Sequence, residues 1–303
     1  MSPAAGREAR EVAAGYTDAH IHDRGYRRYD GIRSGVSGAV WSVARHSLRA
    51  TLGLGRSARH KVFPVAAAVI AYLPAVVFAG MAALFDVDLI GEEILPDYFE
   101  YYGFIGMAIV LFVALVTPEV LVGDRRNGLL GLYLSTPLER WSYLVAKAIA
   151  VTVGLAIVTL GPLLVLLVAY TFEGAGPDGV LEWFRILGKI VVSGVAVSAA
   201  LSAVSLAAAS VTDRRAFASV GIILLMLGSA AVVGGLVDGA GMSDTLRVFD
   251  VFSLPFELVN RIWSEPGEFP ELSTPTVLAA NAAWTLLGAA IVWGRYRRLA
   301  VSR

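Results

Sequence analysis

Six stretches of about twenty or more residues run through this chain without a charge at their centres, near 62–85, 103–122, 148–172, 186–211, 216–237 and 276–294. A helix needs about 20 apolar residues to cross a hydrocarbon core of roughly 30 Å. Only structures that satisfy their own backbone hydrogen bonds survive there, and the alternating pattern of a membrane barrel is missing. The expected fold class is therefore an all-α integral membrane protein with six transmembrane helices. The charged fraction of the 303 residues, 17%, fits this class, because soluble domains carry about 25%.

The formal net charge is zero, yet the signs are segregated along the chain. The N-terminal region, the loops after spans two and four, and the C-terminus together hold 21 of the 25 Lys and Arg residues. The opposite loops hold only Arg185, Lys189, Arg247 and Arg261, with 16 of the 25 acids. Alternation at every crossing predicts a multi-pass protein of the plasma (inner) membrane with both termini cytoplasmic.

Residues 1–33 are polar and read as a cytoplasmic N-terminal segment without a signal-peptide core. Over 34–61, Val36, Val40, Trp41, Val43, Ala44, Leu48, Leu52 and Leu54 share one helical face, and Arg45, Arg49 and Arg56 form a stripe beside it. That pattern predicts an amphipathic helix on the cytoplasmic surface of the lipid bilayer; the alternative is a helix packed on a protein partner. The remainder, 62–303, forms the membrane domain. Between spans five and six, "TLRVFDVFSLPFELVNRIW" is too apolar for a free loop and too short to cross. Two short helices broken near Pro255 are expected there, with Phe249, Phe252, Pro255 and Phe256 as an extracellular gate or bundle cap.

Enzymatic chemistry finds little to work with. The sequence has no cysteine, no G-x-x-x-x-G-K-[ST] phosphate loop and no H-E-x-x-H. His20 and His22 are a weak metal pair in a polar segment, and His46 and His60 lie among arginines. The span interiors offer no mid-depth acid or base, so an ion-driven carrier loses weight. No catalytic residue, metal site or bound cofactor is expected in this chain, and no nucleic-acid partner. The first outer loop, "DVDLIGEEILPDYFEYY", carries six acids and no Lys or Arg. Cation attraction is one reading; an external loop depleted in basic residues is the plainer one. Span four places Ser193, Ser198, Ser202, Ser205 and Ser210 among Ala and Gly, and span five puts Gly221 and Gly228 on one face. Both stripes suit close helix packing, either within the chain or on a second copy.

The segment between spans two and three holds more than inside positive charge. Pro118 removes a backbone donor near the end of span two. Asp124, Arg125 and Arg126 mark its exit into water. Leu129, Leu130, Leu132 and Leu134 then form a short apolar helix that Ser135, Thr136 and Pro137 end. Glu139 stands at the next helix start, and Trp141 and Tyr143 return to the interface before Lys147.

"PEVLVGDRRNGLLGLYLSTPLERWSYLVAKAIA" resembles the signature region of ABC-2-type permeases, the membrane subunits of ATP-driven exporters. Glu119, Arg125, Arg126, Gly128, Leu132, Leu134, Pro137, Tyr143 and Lys147 carry the likeness, and the arrangement of spans extends it over nearly the whole chain. The resemblance implies that the short helix is a coupling helix docking on a separate ABC ATPase subunit, which binds ATP and Mg. Glu119, Asp124, Arg125, Arg126, Gly128, Leu129, Leu132, Leu134 and Pro137 would serve that coupling. The second Asp-Arg-Arg triplet, Asp213, Arg214 and Arg215, is a further contact or an ordinary basic turn. The resemblance also implies a second permease copy or a sister permease. Apolar spans point to a drug, antibiotic or lipid as cargo. Ion or peptide export, including bacteriocin immunity, and a non-transporting scaffold or assembly factor of the same fold are the alternatives.

Overall fold

The computed structural model describes residue 31 and residues 35–55, 57–85 and 95–299; the His20/His22 pair, most of segment 1–33, and Asp86, Asp88, Glu92 and Glu93 of the acidic loop lie outside the described residues. Helix α1 (Gly35–Thr51) comes first, followed by a 3-10 turn at Ala58–His60. The helix stops well short of 61 because Gly53 and Gly55 adopt left-handed backbone, with φ of 68° and 80°. A Cβ at Gly53 would meet the His60 carbonyl oxygen at 2.7 Å, so the returning turn needs glycine there. Val43, Ala44, Ser47 and Thr51 are the buried face of α1. Val43 and Ala44 pack with Tyr143, Ala146 and Val151, while Trp41 is 65% exposed. Most of the apolar stripe therefore covers another helix of the same chain, and Trp41, Val36 and Leu54 remain outside it.

Helix α2 (Val62–Leu84) buries the alanine stripe Ala67, Ala71, Ala75 and Ala82 and exposes Val65, Val69, Leu73 and Val76. Pro74 interrupts its hydrogen-bond ladder, and Tyr101 donates to the Ala71 carbonyl in the preceding turn at 2.6 Å. Helix α3 (Tyr101–Arg126) is the central column, and the short α4 (Leu129–Leu134) follows it.

Span three is two helices, α5 (Arg140–Thr159) and α6 (Gly161–Phe172), broken at Leu160. Pro162 cannot donate to the ladder, and the Tyr72 hydroxyl enters the gap to bond the Ile157 carbonyl at 3.0 Å. Gly161 makes room for that hydroxyl, since a Cβ would lie 1.8 Å from it. Helices α7 (Gly179–Val211) and α8 (Arg215–Gly234) follow, the latter prolonged by a π turn at Gly235–Gly239. A 3-10 turn at Asp244–Phe249, α9 (Leu254–Trp263) and α10 (Thr274–Arg298) complete the fold. Among the described residues there is no strand, and six helical segments are long and apolar enough to cross a membrane.

Two spans begin earlier than the apolar runs indicate. A reciprocal cap between Glu139 and Ser142 starts α5 at Arg140, and α7 starts at Gly179 with φ of 84°. Lys147, Arg185 and Lys189 thus sit within the first turns of helices rather than in loops. Burial ranks the helices: 78% of the most apolar window of span two and 67% of that of span four are buried, against 22% for spans one, five and six.

Polar side chains tie the inner helices together. Thr159 pairs with Ser198 at 2.8 Å and Thr152 with Ser202 at 2.7 Å, while the Trp263 indole donates to Ser193 at 3.2 Å. The serine stripe of span four is therefore used within the chain. The glycine stripe of span five is not: a Cβ at Gly221 or Gly228 would meet nothing within 4 Å.

Candidate functional site

Two ends of the bundle hold the residues singled out from sequence. At the α4 end, the first requirement is to satisfy carbonyls that have no intrahelical partner at helix C-termini. Arg125, on the last turn of α3, reaches across to α7. It donates to the carbonyls of Ala209 (2.7 Å), Ser210 (2.5 Å) and Thr212 (2.5 Å) and lies 3.4 Å from Asp213. Its positive charge meets the negative end of the α7 dipole. Arg140 does the same for α10, donating to the Tyr296 and Arg297 carbonyls at 3.1 and 2.6 Å. Arg215 forms a close ion pair with Glu119 and donates to the Leu115 carbonyl in the turn before Pro118.

Between these struts lies a buried charge pair. Asp124 accepts from Lys147 Nζ at 2.5 Å and from the Tyr143 hydroxyl at 2.8 Å. Lys147 also donates to Ser47 of α1 at 2.8 Å, so one ammonium links α1, α3 and α5. The rings of Tyr133 and Tyr143 each sit 5.3 Å from that ammonium, and the guanidinium of Arg125 lies 5.7 Å from the Tyr296 ring. Cation–π attraction and two hydrogen-bonding partners together offset part of the cost of burying the charge.

This arrangement revises three readings of the sequence. Asp124 and Arg125 do not exit into water: the former is buried, and the latter's guanidinium is spent on α7. Tyr143 does not return to the interface, because its hydroxyl is needed by Asp124 in a closed site. The two Asp-Arg-Arg triplets face each other through Arg125–Asp213, and Glu119 joins the second of them through Arg215. Arg126 alone of the first triplet is exposed, and Arg214 lies 5.6 Å from the Phe217 ring. Ser47, Tyr133, Arg140 and Tyr296 carry no motif that would mark them as partners; Lys147 belongs to the signature, but its place one helical turn after Tyr143 does not reveal Asp124 as the residue it binds.

Above this closed cluster, α4 is open. Gly128 makes the turn into it with φ of 66° and free space around its Cα, and no residue of the helix is buried. Leu130 and Tyr133 rest on the core beneath, and Leu129 and Leu134 are half-buried. Leu132 is 65% exposed, and Pro137 is also exposed at the end of the segment. A cavity of about 480 Å³ beside α4 is lined by His46, Ser57, His60, Glu119, Asn127 and Lys147, among others.

At the α9 end, Phe252 and Phe256 meet edge to face with centroids 5.2 Å apart, while Phe249 is 56% exposed on its 3-10 turn and stands outside that pair. Pro255 is buried in the first turn of α9, where its missing donor costs nothing. Glu257 and Arg261 pair at 2.6 Å. Glu257 accepts from the backbone N–H groups of Glu268 and Phe269, and Arg261 donates to the carbonyls of Pro266, Phe269 and Leu272. One ion pair thus clamps the following loop onto α9.

A family model described as ABC-2 family transporter protein matches residues 18–299. No curated protein matches the chain.

Proposed function

We propose, from the premise that this chain belongs to the ABC-2 transporter family, that it is the permease subunit of an exporter driven by a separate ATPase, with α4 as the coupling helix. The observation that carries this reading is the contrast at the α4 end. A six-residue helix with no buried residue and an exposed Leu132 stands on a base of buried charges and capped helix ends. A lever needs such a pairing: a contact face free for a partner, and stiff attachments that pass its displacement to α3, α5 and α1. ATP and Mg belong to the partner in this reading. Asp213–Arg215, bound to Arg125 and Glu119, act as braces that carry the movement to α7 and α8 rather than as a second docking face.

The α4 end is cytoplasmic in this reading, together with both termini, in the plasma membrane. Support comes from the charge asymmetry of the loops and from Arg295, Arg297 and Arg298 in the last turn of α10. Helix α1 lies at the cytoplasmic interface, with Trp41, Arg45 and Arg49 turned away from the bundle. Spans one, five and six keep apolar side chains exposed, among them Leu73, Leu224 and Leu286, which suits lipid and a second permease copy. A hydrophobic or amphipathic cargo (drug, antibiotic or lipid) fits a cavity walled by such faces.

Replacing residues 128–132 by a Gly/Ser run tests the coupling role. Membrane insertion and solubility in detergent stay as in the wild type, whereas co-purification with the cognate ATPase, or the ATP hydrolysis the permease stimulates, falls at least tenfold. Retention of both activities refutes the assignment. Topology is checked with single cysteines, which the chain lacks naturally. Leu132→Cys labels from the cytoplasmic side only and Glu271→Cys from the outside only; the reverse pattern inverts the topology.

A further inference from the structure

At the α9 end, a cleft of about 620 Å³ lies between the start of α3 and the α9 cap. Its size is that of a small-molecule site. Phe252 and Phe256 supply aromatic faces, and Gly103 and Gly106 of α3 add no side chain to the opposite wall. The space is built in: a Cβ at Gly106 would already touch the Phe252 ring at 3.3 Å, while one at Gly103 would meet nothing within 4 Å.

The charge in this cleft has one sign. Glu100, Glu257, Glu265 and Glu268 line it, and among the described residues no Lys, Arg or His does. Glu257 is consumed by Arg261 and the loop backbone, and Glu100 accepts the Asp97 N–H at 3.2 Å. Glu265 and Glu268 carry no ion pair among the described residues. A second observation points to a ligand. Tyr102 lines the same cleft, its side chain is buried, and its hydroxyl has no hydrogen-bond partner among the described residues. Buried hydroxyls are normally satisfied, so this one leaves polar capacity in the cleft wall that no described residue uses.

The carboxylates do not suit a metal. Among the described residues no three acidic or histidine side chains converge closely enough to hold one. Dispersed negative charge around aromatic faces instead matches a cation whose charge is spread over a large apolar group, held by ring quadrupoles and distant carboxylates together.

We infer that this cleft binds an organic cation, an ammonium carrying an apolar or aromatic substituent, with Phe252 and Phe256 against its body and Glu265 and Glu268 compensating its charge. That the cleft opens on the outer side of the membrane rests on the topology proposed above; the binding itself does not.

The test is calorimetric titration of benzyltrimethylammonium into the purified full chain in a neutral detergent, without any ATPase, so that a failure of coupling leaves the result untouched. Saturable binding is expected. Glu265→Gln/Glu268→Gln raises Kd at least fivefold, and Gly103→Leu, which fills the cleft without altering charge, abolishes binding while the melting temperature is retained. Absence of saturable binding to the wild type overturns the inference, as does an unchanged Kd in Gly103→Leu. Calcium that binds to the wild type with benzyltrimethylammonium failing to compete shows an inorganic-cation site and also overturns it. Should the double glutamine variant fail to fold, Gly103→Leu decides alone.

Discussion

Lys147→Met is expected to destabilise the protein by about 3–5 kcal/mol, the cost of leaving a buried carboxylate without its partner. The lysine is 2% exposed and Asp124 8%. Removing the ammonium strips Asp124 of its 2.5 Å ion pair and leaves it only the Tyr143 hydroxyl. Ser47 loses its donor at the same time, so α1 is loosened from α5. Asp124→Asn/Lys147→Met keeps an acceptor for Tyr143 and contains no charge, and most of the lost stability returns. A double-mutant cycle read by thermal melting in detergent isolates the pair. A loss below about 1 kcal/mol for Lys147→Met would place that ammonium in water, as for an exposed pair, and would dissolve the link between α1 and the α4 end.

Gly288→Val should also be damaging, though less so and for a different reason. Helix α10 lies so close to α7 that a Cβ at position 288 would stand 2.7 Å from the Ala203 carbonyl oxygen and 2.8 Å from its carbon. The obstructing atoms are backbone, so relief requires the two helices to part, and overpacking of this kind costs about 1–3 kcal/mol. Close approach through small residues is a main source of helix association in a bilayer, where apolar burial gains little. The control is Gly228→Val, whose added Cβ meets nothing within 4 Å among the described residues, with a change within about 0.5 kcal/mol. Equal effects at both positions, measured as melting temperatures of the detergent-solubilised chain, would refute this packing. A large effect at Gly228 with none at Gly288 would move the critical contact to a second copy.

Glycines show how far a linear reading goes. Gly221 and Gly228 announce themselves by lying on one face of span five, yet among the described residues a Cβ on either would meet nothing within 4 Å. Gly161, Gly194 and Gly288 have no such periodicity, and each sits where another helix leaves no room for a side chain. Spacing along one helix tells which residues share a face, but not which helix that face meets. The serines of span four were legible because a small, polar stripe inside an apolar span needs partners wherever it packs; Thr152 and Thr159 supply them.

The α4 segment divides in the same way. Its short apolar helix, its proline stop and its place between two spans were all visible, since each depends on local propensity and on the length of apolar runs. The roles of its flanking charges were not. Basic residues near a membrane read as loop charge, and nothing in the string distinguishes exposed Arg126 from Arg125, which closes the end of α7. Lys147 looked like an interface lysine because Asp124, its partner, lies 23 positions earlier on another helix.

The amino-acid sequence by itself determined the class of protein and the number of membrane-competent helices, because those follow from apolar length and from the need of each backbone to satisfy itself within lipid. It also determined the family signature and the segregation of basic residues. Tertiary structure decided which charges are struts and which are free, which glycines are contacts, and that Phe252 and Phe256 share a cleft with Glu265 and Glu268 while Phe249 does not. Those are properties of pairs distant along the chain, and they exist only once helix crossing fixes who faces whom.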